Sequence, residues 1–253
     1  MREHKTEAVI LDTTDIFDAD RSLLLFTREM GKIRARARGV RKVTSRLTGH
    51  LLQYIPTQLE LIQTGEWHQI TQAQIVSHYA EAETYPRDAL LFSRQASLLA
   101  ESVNRLFQDH DSHPAIYDGL VYTLDRLRDL CDEKEPPRAK AELVAAEFVL
   151  KCLAELGYRA ELFHCVATGE ELKEDFVGWS SQMGGVLSQV GYRQAPDSLV
   201  LVSTKTVVAL RQLLRPEFMA ERLAMDEAIQ ADVTRVIYDY AQTQIGQPLR
   251  SYS

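Results

Sequence analysis

The run Ile33-Arg34-Ala35-Arg36-Ala37-Arg38 alternates apolar and basic residues with a period of two. In a strand this period puts Ile33, Ala35 and Ala37 on one face and the three arginines on the other. On a helix the same arginines would spread around the axis, so only the strand reading gives them a common face. Met30-Gly31-Lys32, just before, reads as a tight turn in which glycine supplies the permissive backbone.

Working outward, Thr6 to Leu11 and Ser22 to Thr27 are β-branched and apolar runs, separated by the polar stretch Asp12 to Arg21. Thr57 to Ile62 and His68 to Ile75 form an expected hairpin around Thr64-Gly65-Glu66. Five short strands within eighty residues suit a small closed barrel of the OB-fold kind, and an SH3-like barrel would give a similar pattern. Past Tyr85-Pro86 the period becomes helical, with Leu90, Leu91, Ala96, Leu98, Leu99, Val103 and Leu106 on one stripe. Pro86 is placed to start that helix. Further helices are expected near Pro114–Leu130, Ala139–Leu156 with Gly157 as its cap, Thr204–Leu214 and Met225–Gln244. The chain therefore reads as α+β. An OB-fold barrel over residues 1–82 precedes an all-helical C-terminal domain over 83–253, interrupted by an irregular, glycine-marked insertion at 158–200.

The net charge of −7 argues against a nucleic-acid binder when taken alone. From Met30 to Gly49, however, seven basic residues (Lys32, Arg34, Arg36, Arg38, Arg41, Lys42 and Arg46) occur with no Asp or Glu, which leaves −14 on the other 233 residues. Such segregation marks an electrostatic binding surface on an otherwise acidic body. The expected function of this segment is to neutralise successive phosphates of nucleic acid. The alternative is a solvated face whose charges blunt an exposed edge. Tyr54 and Trp67 are candidates for stacking on bases.

Other chemistry is weakly represented. Gly39 to Ser45 lacks the Gly-Lys-Ser/Thr ending of a phosphate loop, and no Gly-x-Ser-x-Gly elbow occurs. Asp15, Asp18 and Asp20 read as solvated carboxylates before they read as a cation site. His110 and His113 lie in a polar loop. Cys131 and Cys152 read as small core residues, and three cysteines in all argue against a disulfide framework. Cys165-Val166-Ala167-Thr168-Gly169 has the outline of a zinc knuckle whose second cysteine is replaced, and His164 with Cys165 supplies at most two of four ligands. No metal or other cofactor is expected, and no catalytic residues are identified. Without a signal-like start or a long apolar run the chain is expected in the cytoplasm, as a non-enzyme.

The ordered set Asp20 to Ile33, Ala37-Arg38-Gly39-Val40-Arg41, Ser45-Arg46-Leu47, Phe148 to Tyr158, Cys165 to Gly169, Gly184-Gly185-Val186-Leu187 and Gly246 to Ser251 resembles the bacterial recombination mediator RecO family. The resemblance implies an OB-fold followed by a helical domain. It also implies binding of single- and double-stranded DNA, strand annealing, and partnership with RecR and with the acidic tail of single-stranded DNA-binding protein, so that RecA is loaded. Many RecO-like proteins carry a four-cysteine zinc knuckle; the matching positions here are Cys165, Thr168, Ser188 and Gly191, which implies a degenerate, metal-free loop. An interaction scaffold whose basic strand docks acidic peptides is the alternative function.

Overall fold

The computed structural model describes residues 3–65, 67–76, 85–172, 176–195 and 200–252. It divides into two compact units, 1–136 and 137–253. In the first, strands β1 (Glu3–Ile16), β2 (Asp20–Thr27), β3 (Gly31–Ala37), β4 (Thr57–Thr64) and β5 (Trp67–Ile75) close a barrel in the order β1-β2-β3-β5-β4. All neighbours are antiparallel except β3 and β5, whose parallel register pairs Ala35 with His68. The alternation read from the sequence decides what lies inside. Ala8, Ile10, Leu23, Leu25, Ile33, Ala35, Ala37, Leu59, Leu61 and Ile70 form one buried cluster, closed from the following loop by Val40 and Leu51. Ala35 and Ala37 are completely buried in this cluster beside larger chains such as Leu23, Leu25 and Ile33.

Two helices complete this unit, α1 (Ala89–Leu106) and α2 (Pro114–Asp132). The α1 N-cap is Asp88, whose carboxylate accepts from Leu91 N at 2.9 Å, so the helix begins three residues after Pro86. Phe26 of β2 packs its ring 6.0 Å from Phe107 and 6.2 Å from Tyr117, tying barrel to helices. The end of the barrel expected at 82/83 lies outside the described residues. The compact unit itself extends to Pro136.

The second unit carries α3 (Arg138–Glu155), α5 (Thr204–Leu213) and α6 (Glu227–Ile245), with α3 packed on α6 and α5 on α6. Its buried Glu147 is explained by two backbone donors, Met219 N at 2.7 Å and Ala220 N at 2.9 Å. The insertion expected to be irregular is instead partly regular. β6 (Phe176–Ser180), β7 (Gly185–Leu187) and β8 (Val200–Ser203) form a small antiparallel sheet in the order β7-β6-β8, and α4 (Gln189–Gln194) packs on it. The C-terminal part is thus helical with a minor sheet, and not all-helical. These strands are three to five residues long and two of them carry a glycine, too short for a period to show. Among the described residues no helix is long and apolar enough to cross a membrane.

The four knuckle positions converge in this unit. Burial pushes the Cys165 thiol up, but donors on Ser188 and Thr168 hydroxyls and on the Ser188 and Ala167 amides outweigh it and bring the thiol down to about 7. A Cβ on Gly191 would lie 2.4 Å from Cys165 Sγ, so the fourth ligand position is filled by the sulfur's own packing. One thiol, two hydroxyls and a glycine do not make a tetrahedral zinc site. Among the described residues no group of three or more His, Cys, Asp or Glu is arranged to hold a metal ion.

The three cysteines are then separable by titration, because burial drives Cys131 up to about 12 and Cys152 well above its ordinary range. Ultraviolet titration of thiolate is expected to show one step near pH 7, absent in Cys165→Ser. Its folded pKa lies below its unfolded one, so the contribution to stability is full above the unfolded value near 9 and is lost as pH falls through 7. Stability relative to Cys165→Ser should rise by roughly 2–3 kcal/mol between those limits. A first thiol step at 9 or higher would refute the hydrogen-bonded thiolate.

Candidate nucleic-acid interface

β3 delivers its arginines to the outer face of the barrel, as the alternation required. Arg34 and Arg38 are exposed, and Arg36 between them is half-buried. After Ala37 the chain runs through successive turns, with Lys42 N donating to Gly39 O, Ser45 N to Lys42 O and His50 N to Leu47 O. Val40 and Leu51 bury themselves in the barrel, and Thr48 Oγ1 bonds Val40 O at 2.5 Å. Arg41, Lys42 and Arg46 are left on the exposed side of this pinned loop.

Acidic groups of the β1-β2 hairpin position the loop. Asp20 Oδ1 accepts from Gly39 N at 2.7 Å while Oδ2 accepts from Arg36 Nε at 2.8 Å. The Gly39 amide first, and Arg36 second, hold the Asp20 carboxyl below the usual carboxylate range. Asp15 pairs with Arg21 at 2.8 Å and with Arg41 at 3.3 Å, and the Arg21 hydrogen bond lowers its pKa. These two carboxylates are therefore committed to arginines rather than to a cation.

The seven residues expected at the interface thus separate into three groups. Arg34, Arg38, Lys42 and Arg46 have no ion-pair partner among the described residues, and all four are exposed. Arg36 and Arg41 lie on the same face but are partly neutralised by Asp20 and Asp15. Lys32 is a correction. It shares the outward phase of the arginines, yet its side chain is buried, donating from Nζ to Asn104 O at 2.7 Å and sitting 3.1 Å from Asp109 Oδ1. The carbonyl end of α1 and a neighbouring carboxylate are a better partner for that ammonium than solvent is. Lys32 bolts the barrel to α1 and is unavailable to a phosphate.

Of the two aromatics considered for stacking, Tyr54 is turned to the protein. It is half-buried, burial raises its phenol pKa, and Ser97 of α1 bonds its hydroxyl. Trp67 is 46% exposed and immediately precedes His68, the register partner of Ala35, so it stands beside the β3 arginines. Phe17 was missed by the sequence reading. It lies at the β1-β2 hairpin tip, with the Arg36 guanidinium 4.7 Å from its ring centroid. The Ile16-Phe17 pair in an otherwise polar stretch is too short to carry a periodic signal that would single out Phe17.

A cavity of about 930 Å³ on the barrel shares no residue with this face. Its lining mixes Lys5 and Arg28 with Glu7, Glu29 and Glu60, which does not suit a phosphate chain. His110 is exposed and donates its amide to Lys32 O, while His113 bonds Asp111 at 3.0 Å. Both belong to the loop that receives Lys32.

Comparison with known proteins agrees with this architecture. Residues 1–79 match the family model described as recombination protein O N terminal, and residues 95–253 match recombination protein O C terminal. DNA repair protein RecO of Heliobacterium modesticaldum is 31% identical, over 100% of this chain and 89% of the relative. DNA repair protein RecO of Frankia casuarinae is 30% identical over 99% and 97% of the two chains, and that of Caldanaerobacter subterraneus is 25% identical over 99% and 96%. A barrel matched by one model, a helical part matched by the other and relatives aligned from end to end lead to one conclusion: the chain belongs to the RecO family of DNA repair and recombination proteins.

Proposed function

We propose that this protein is a non-enzymatic recombination mediator of DNA repair that binds single- and double-stranded DNA on the outer face of its barrel. The observation that carries the reading is the set of exposed cations Arg34, Arg38, Lys42 and Arg46, which have no ion-pair partner among the described residues, on a surface where Asp20 and Asp15 are already paired with Arg36, Arg21 and Arg41. Contacts of this kind fall on phosphates and are tolerant of sequence. Cations held on one face also lower the repulsion between two backbones, which is what annealing of complementary strands needs. No bond is made or broken in that process, so no metal-dependent turnover of DNA is expected. In the family reading the protein acts in the cytoplasm with RecR and with the acidic tail of single-stranded DNA-binding protein, and so helps to load RecA.

Affinity for a labelled single strand, measured as a function of salt, tests the reading. Four phosphate contacts give a log-log slope of about −3, at roughly 0.7 per contact, and slightly steeper for duplex. Binding that is absent at low salt, or that ignores salt, would exclude a phosphate-directed interface. An acidic peptide that occupies the face while DNA does not would favour the scaffold alternative.

A further inference from the structure

Phe17 is badly placed for folding alone. It is 75% exposed, and at φ +54 its backbone lies in the left-handed region that bulky L-residues rarely occupy. Glycine or asparagine would serve the turn between Ile16 and Asp20 with less strain. The ring is nevertheless held in place. Arg36 lies against it at 4.7 Å from the centroid, and that guanidinium is fixed in turn by Asp20. With so much of the residue in solvent, at most one face of the ring is covered. The opposite face is open.

The ring also stands in a particular relation to the cations. Arg36 is preceded on the same strand face by Arg34, about 6.6 Å back along β3, and followed by exposed Arg38 in the turn that begins directly after the strand. An aromatic surface therefore sits over the middle of a cationic row, with half-exposed Trp67 beside the row on β5. Alternation of cations with exposed aromatic rings is what a single-stranded nucleic acid requires, because its bases are free to turn toward the protein. A duplex keeps its bases stacked and has no use for the ring.

We infer that Phe17 is a stacking platform for an unpaired nucleobase, with Arg34 and Arg38 holding the flanking phosphates, so that the barrel face discriminates single strands from duplex. This rests on the phosphate-binding reading above and adds to it the part of the ligand that is recognised.

The test compares wild type, Phe17→Ala and Phe17→Tyr on a thymine homopolymer, on an abasic strand of equal length, and on duplex, in one buffer. Phe17→Ala should weaken the thymine strand about tenfold and leave the abasic strand and the duplex unchanged, while Phe17→Tyr stays within about twofold of wild type throughout. Equal weakening of thymine and abasic strands would overturn the inference, since Phe17 would then only support the hairpin. So would an unchanged thymine affinity in Phe17→Ala. If wild type binds both strands with the expected salt slope and Phe17→Ala does the same, stacking alone is refuted. If wild type binds no strand, the phosphate-binding reading and the stacking inference both fall.

Discussion

Replacing Arg34, Arg38, Lys42 and Arg46 together by Ala is expected to lower affinity for single-stranded DNA by a factor on the order of 10²–10³ at about 0.1 M salt. The magnitude follows from counterion release: a slope of about −3 means that each tenfold dilution of salt is worth about a thousandfold in binding. Removing all four contacts should flatten the slope toward zero as well as weaken the complex. Stability should change little, because exposed side chains that make no ion pair among the described residues contribute within about ±0.5 kcal/mol each. Lys32→Ala separates binding from folding. It leaves the Asn104 carbonyl and Asp109 without their cation, so it should destabilise the fold while leaving the salt slope alone. Arg36→Ala falls between the two, because it releases both Asp20 and the Phe17 ring. Anisotropy titrations at several salt concentrations, with urea unfolding of each variant, decide the matter. A quadruple variant that binds within a few-fold of wild type would place the interface elsewhere.

The arginine face and the barrel were legible because both depend on a period of two that runs unbroken through β3. Such a run tells which residues leave the core, but not what they meet outside it. Lys32 shows the limit: it continues the phase of Arg34, Arg36 and Arg38, and only the arrival of α1 at the end of the strand removes it from solvent. Arg36 and Arg41 illustrate the same limit for charge, since Asp20 and Asp15 come from a hairpin sixteen or more residues earlier. In the second unit the long helices were readable from their stripes, whereas β6, β7 and β8 were not. There the glycines mark close approach rather than turns alone. A Cβ on Gly178, inside β6, would lie 2.5 Å from the Tyr192 ring, so the residue that looked like a turn signal is where α4 meets the sheet.

Gly31→Ala should be the most damaging single substitution in the barrel unit, costing about 3–5 kcal/mol. Two effects combine at this position. The residue has φ +65, so any side chain is strained, and a Cβ there would lie 2.0 Å from the backbone oxygen and 2.5 Å from the carbonyl carbon of Asp111. No rotamer relieves a clash with backbone. The chain must separate β3 from the loop that joins α1 to α2, and the contacts that fasten the two are all close by. His110 N donates to Lys32 O at 2.9 Å, Lys32 reaches Asn104 and Asp109, and Thr27 Oγ1 donates to Gly31 O at 2.9 Å. Gly65→Ala is the matched control. It has nearly the same dihedral, φ +67, but nothing lies within 4 Å of its added Cβ, so it should cost only the backbone strain of about 1–2 kcal/mol. Urea unfolding of both variants separates strain from collision. Equal destabilisation would mean that the barrel does not depend on seating against the α1-α2 loop. The expected gap of a few kcal/mol would show that the barrel and its first two helices fold as one cooperative unit, with the glycine turn before β3 as the point where they lock.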